Sequence, residues 1–118
     1  MYTVVRILGP SDATHRIGEI LNNIQVGVYQ GPRKAGDGFA CSIAEDEDWC
    51  THVGAALEFL ERFWPALEMT QELGVSVEFD TAVEPEDLGE HYLSLHIDGN
   101  LLRKIESIGA TYTITFYR

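Results

Sequence analysis

The apolar residues of this chain switch period repeatedly, and each switch marks a change of element. Residues 75–80 (VSVEFD) alternate apolar and polar, the pattern of a half-buried strand. Trp49, Val53, Ala56, Leu57, Leu60, Phe63, Trp64 and Leu67 instead recur at three- and four-residue steps, the stripe of a helix. Pro65 falls inside that stripe, where it removes a backbone donor and is expected to kink the helix or restart it. Short β-branched or aromatic runs predict further strands at 2–8 (YTVVRIL), 25–30 (QVGVYQ), 39–44 (FACSIA), 91–97 (HYLSLHI) and 111–117 (TYTITFY). Two shorter helices follow from capped stripes. One starts at Ser11 and carries Ala13, Ile17, Ile20, Leu21 and Ile24; the other starts at Asn100 and carries Leu101, Leu102, Ile105 and Ile108.

The order that results is β-α-β-β-α-β-β-α-β. It predicts an α+β two-layer sandwich with a mixed or antiparallel sheet of about six strands and one long helix kinked near Pro65. The 118 residues suit a single domain, 1–118, with a core that needs neither disulfides nor metals. No apolar run is long enough for a membrane span, and MYTVVRILGPSD has no basic start or long apolar stretch. A cytoplasmic protein is therefore expected, with Cys41 and Cys50 as free thiols.

Charge is concentrated in the middle of the chain. The net charge is −11, and residues 37–100 hold sixteen of the nineteen acids but one base, Arg62. Such a balance argues against direct nucleic-acid binding or an anionic membrane surface, and suits a basic partner. The densest run is AEDEDWC at 44–50. Asp46 or Asp48 would cap the following helix, where carboxylates meet the positive end of its dipole. The run lacks the spacing of a calcium loop, and adjacent carboxylates in a cap splay apart, so no metal is expected. Trp49 begins the apolar stripe; buried, it is core, and partly exposed it would anchor a contact inside an acidic rim.

Other chemistry is sparse. His15 and His52 fall on helices, while His91 and His96, five apart in one strand, face opposite ways. None has zinc spacing, so structural or surface roles are expected. Cys50, near a helix start, is the residue around which an enzyme reading would have to be built, with no catalytic signature to support it. The loop GPRKAG could hold an anion, though two charges in a glycine-rich loop read first as an ordinary surface turn.

Four stretches carry a resemblance: GPSDATHRIGEIL, GPRKAG, EDEDW and LLRKIESIGATYTITFYR. In these the chain resembles a bacterial family of small α+β domains of unknown function, with an immunity-protein-like style. That likeness implies a binding protein that neutralises a basic partner such as a toxin, without cofactor or catalysis. The partner-binding residues expected are Glu45, Asp46, Glu47, Asp48 and Trp49 from one acidic segment and Glu84, Glu86, Asp87 and Glu90 from the other. A mimic of nucleic acid is a related version. The alternatives are an enzyme with a pocket near Cys50, and a structural homodimer joined through edge strands such as 111–117.

Overall fold

The computed structural model describes residues 1–23, 28–29, 38–88 and 93–118, with backbone alone at 22–23 and 28–29. β1 (Tyr2–Leu8) runs antiparallel to β3 (Gly38–Glu45) on one side and to β4 (Ser76–Val83) on the other. The short β2 (Val28–Tyr29) extends the sheet antiparallel beyond β3, and β5 (Thr111–Phe116) extends it parallel beyond β4. The result is one mixed sheet in the order β2-β3-β1-β4-β5. Among the described residues four helices accompany it: α1 (Ser11–Asn23), α2 (Trp49–Arg62), α3 (Trp64–Glu68) and α4 (Gly99–Ser107).

Strand periodicity decides which face is covered. Val5 and Ile7 of β1, Phe39 and Cys41 of β3, and Val77 and Phe79 of β4 are buried in one core with Ile17, Leu21, Ala56, Phe59, Leu60, Leu67, Leu101 and Ile105 of the helices. The residues between them, Val4, Arg6 and Leu8 on β1 and Glu78 and Asp80 on β4, lie half-buried on the other face. There Arg6 donates to Glu78 at 3.0 Å and to Asp80 at 2.6 Å. Thr113 and Thr115 of β5 donate to the same two carboxylates. Inside, aromatic rings form a continuous line from Phe63 through Phe59, Phe79 and Tyr112 to Trp49, with neighbouring centroids 4.8–6.0 Å apart.

The expected layout of six strands and three helices is corrected in three places. The long kinked helix is two helices. Phe63 leaves helical geometry, with φ −108° and ψ 14°, and Pro65 sits in the first turn of α3. A proline ring there would clash with the carbonyl four residues back, so α2 ends and a new helix starts where the missing N–H costs nothing. The expected strand at 91–97 is absent over 93–97; residues 91–92 lie outside the described set. Because β4 and β5 are parallel, their connection must cross over, and this stretch leads into the crossover helix α4 instead of pairing. β4 also continues to Val83, three residues beyond the alternating run 75–80 that marks it in sequence. Of the expected strand 25–30, Val28–Tyr29 is described, and the GPRKAG loop lies outside the described residues.

Phe79 joins the sheet to Phe59 and Tyr112 and is fully buried. Phe79→Ala should lower unfolding free energy by about 3–5 kcal/mol, read from urea denaturation.

Candidate functional site

The register of the central strands assembles an acidic cleft. Tyr2 pairs with Glu45 at the end of β3 and with Ala82 near the end of β4. Both acidic segments therefore leave the sheet at the same end, on either side of the chain's first two residues. Asp46 continues the ladder by donating its N–H to the Met1 carbonyl at 3.2 Å. On the other side, Pro85–Asp87 forms one 3-10 turn. Met1, Tyr2, Glu45, Asp46, Glu47, Glu84, Glu86 and Asp87 together line an open cleft of about 390 Å³.

These carboxylates are not equivalent. Asp87 is committed to the fold: its side chain is 6% exposed, and its Oδ2 accepts from the Met1 ammonium at 2.8 Å and from the Glu84 N–H at 2.8 Å. The hydrogen bond from the ammonium, more than any other cause, holds the Asp87 carboxyl below its usual 3.8. Asp48 caps α2, accepting from the Cys50 N–H and the Thr51 hydroxyl, both at 3.4 Å. Asp46 accepts from the Asp48 N–H at 2.7 Å. Glu45, Glu47 and Glu86 are exposed and Glu84 half-buried. Asp48 does not line the cleft, and Glu90 lies outside the described residues. Tyr2, on the rim, shares a hydrogen bond with Tyr117 that, with burial, raises its phenol above the usual 10.

Trp49 is inside. It is 7% exposed, donates Nε1–H to the His96 carbonyl at 2.7 Å, and packs edge-on against Tyr112. At that exposure it belongs to the interior and offers almost no surface to a partner.

Beneath the cleft runs a buried polar chain that sequence reasoning missed. His52 is fully buried, and its Nε2 lies 2.8 Å from the Asp46 carbonyl. A carbonyl only accepts, so Nε2 carries the proton, and in the neutral ring Nδ1 must accept. The donor is the Thr3 hydroxyl at 2.6 Å. With its proton so used, Thr3 accepts from Thr81 at 2.6 Å, and Thr81 accepts from Tyr112 at 2.6 Å. One directed chain thus ties β5, β4, β1 and α2 to the acidic loop. The sequence signal was a threonine at an inward strand position: Thr3 precedes Val5 and Ile7, and Thr81 follows Val77 and Phe79. Burial of Tyr112 raises its phenol pKa, which keeps the donor at the head of the chain protonated.

The remaining candidates carry little chemistry. Both cysteines are free; Cys41 is buried, and burial pushes its thiol up to about 12, while Cys50 is exposed and does not line the cleft. His15 pairs with Glu19 on the surface of α1. His96 is exposed, and His91 lies outside the described residues. Among the described residues, no three His, Cys, Asp or Glu side chains converge to hold a metal, and no helix is long and apolar enough to cross a membrane. Compared with protein-family models, characterised proteins and solved structures, the chain has no match, so the comparisons add nothing to the family resemblance drawn from its sequence.

Two measurements check this geometry. Asp87 contributes stability that is complete above pH 3.8 and lost as pH falls through its lower folded value. Asp87→Asn should therefore destabilise the protein at neutral pH and flatten its acid unfolding curve below that point. For His52, nitrogen-15 shifts at neutral pH should show Nε2 protonated and Nδ1 bare; the opposite tautomer would break the directed chain.

Proposed function

We propose that the protein binds a basic protein segment at its acidic cleft, and that its role is to capture or neutralise a cationic partner rather than to catalyse. One observation carries this reading. Two acidic segments nearly forty residues apart are brought to one open cleft, where Glu45, Glu47 and Glu86 have no structural duty, among the described residues, comparable to that of Asp87 or Asp48, while Glu84 also stands at the N-cap of the 3-10 turn in a capping box with Asp87. Among the described residues that line it, the single cationic group, the Met1 ammonium, is spent on Asp87. Lysine or arginine side chains are the natural complement of such a site, and the Tyr2 ring on the rim adds an aromatic surface for a cation. A basic toxin held by an immunity-like protein is the concrete version of this reading.

The charge pattern also favours rapid, salt-sensitive association. Like-signed carboxylates around a concavity focus the field and steer opposite charges toward it.

The test is affinity capture from the protein's own cell lysate at low and high salt. The chain would be run beside a variant carrying Glu45→Gln, Glu47→Gln, Glu84→Gln and Glu86→Gln, and a control neutralised at Glu58, Glu61 and Glu72, exposed positions outside the cleft. A basic protein should be retained at low salt, released at high salt and lost with the cleft variant alone, with association slowed roughly tenfold or more by that variant. Equal loss with both variants would reduce the effect to bulk charge. Unchanged capture by the cleft variant would remove the cleft from the binding surface.

A further inference from the structure

We propose that the outer edge of β5 is a self-association surface, where two copies of the chain join their sheets antiparallel about a two-fold axis at Ile114. The register leads to this. The N–H of Tyr117 donates to the Val83 carbonyl at 3.0 Å, one step beyond the pair Val83 and Phe116. Within a strand, the N–H and C=O of one residue point to the same side, and the side alternates with each residue. The odd-numbered residues of β5 therefore bond to β4. Tyr112, Ile114 and Phe116 point their N–H and C=O outward, and among the described residues no main-chain partner meets them.

Monomeric proteins protect such an edge with proline, lysine, a bulge or an inward charge. TYTITF has none of these; every residue is β-branched or aromatic, and its end carries Phe116 at 52% and Tyr117 at 46% exposure.

The occupant follows from register and charge. Opposed residues in an antiparallel ladder must share a face. An axis at Ile114 satisfies this, setting Tyr112 against Phe116 of the partner subunit and Thr113 against Thr115 of the partner subunit. Aromatic pairs then meet on one face and threonine pairs on the other, both favourable across strands. A net charge of −11 opposes self-association through most surfaces, but residues 108–117 carry no charged side chain. The antiparallel arrangement also separates the two acidic clefts. It brings the Thr111 end of each copy beside the partner's Phe116 end.

Sedimentation equilibrium on the purified chain, from micromolar to submillimolar concentration, should show a dimer. Phe116→Lys sets a charge against the half-buried Tyr112 of the partner subunit and should abolish the dimer with little change in Tm, because Phe116 is half-exposed in the single chain. Register is read separately by crosslinking in a Cys50→Ser background, with buried Cys41 out of reach. A hydrogen-bonded antiparallel pair holds its Cα atoms about 5.5 Å apart, within disulfide range, so Ile114→Cys should form an interchain disulfide under mild oxidation and Thr113→Cys should not. A monomer at every concentration overturns the proposal, as does a dimer that survives Phe116→Lys or fails to crosslink at position 114. A chain that stays monomeric until a basic peptide is added and then pairs at this edge also overturns it, by assigning the edge to a different occupant.

Discussion

The antiparallel seating of β1 between β3 and β4 is the constraint on which the rest of the molecule depends. It places Val5 and Ile7 in the core and Arg6 on the opposite face between Glu78 and Asp80. A slip of one residue would reverse these assignments, exposing the apolar side chains and burying a guanidinium. The same register opposes Tyr2 to both Glu45 and Ala82. Sheet pairing alone therefore delivers two acidic segments to one end of the molecule, and the core that enforces the register enforces the cleft as well.

The buried chain from Tyr112 to His52 adds a second lock. Thr3, Thr81 and His52 are all fully buried, and each polar side chain would be expensive to leave without a partner. Their mutual hydrogen bonds remove that penalty only when β1, β4, β5 and α2 are all in place. Such a network discriminates more than it stabilises: an arrangement that misplaces one strand strands several hydroxyls at once. Its far end is the carbonyl of Asp46, a residue of the cleft wall. The wall therefore hangs from the interior, although its side chains face solvent.

Much of this was legible in the sequence. The strand at 2–8, the helix from Ser11, the start of α2 at the acidic run and the helix ending before Gly109 follow from periodicity and capping. The elements that were misread share a physical cause. HYLSLHI alternates as well as any strand here, but a ladder also needs a neighbour, and the parallel pairing of β4 with β5 leaves this stretch in the crossover. Pro65 announced an interruption, and whether a helix bends or ends there depends on packing around Phe63 that no local pattern encodes. At the site, the acidic residues were visible and their convergence was not, since the distance between Glu45 and Glu84 in space is decided by strand register. The roles of Asp87 and His52 were hidden for the same reason. Each depends on a partner, Met1 or Thr3, that lies far away along the chain.

The cleft also carries a tension between stability and binding. Glu45, Glu47, Glu84 and Glu86 line one cleft at one end of a molecule of net charge −11, and exposed like charges repel over roughly 8–10 Å at physiological salt. Their repulsion opposes the folded state, and the Met1 ammonium relieves it at Asp87 alone. A core as continuous as the line from Phe63 to Trp49 can tolerate that burden. What the fold gains from keeping it is a deficit of positive charge at one defined place. Any cationic partner that enters removes repulsion as well as adding contacts, so binding and folding are linked: the partner should stabilise the chain with the logarithm of its free concentration once that exceeds Kd, and most strongly where salt is low.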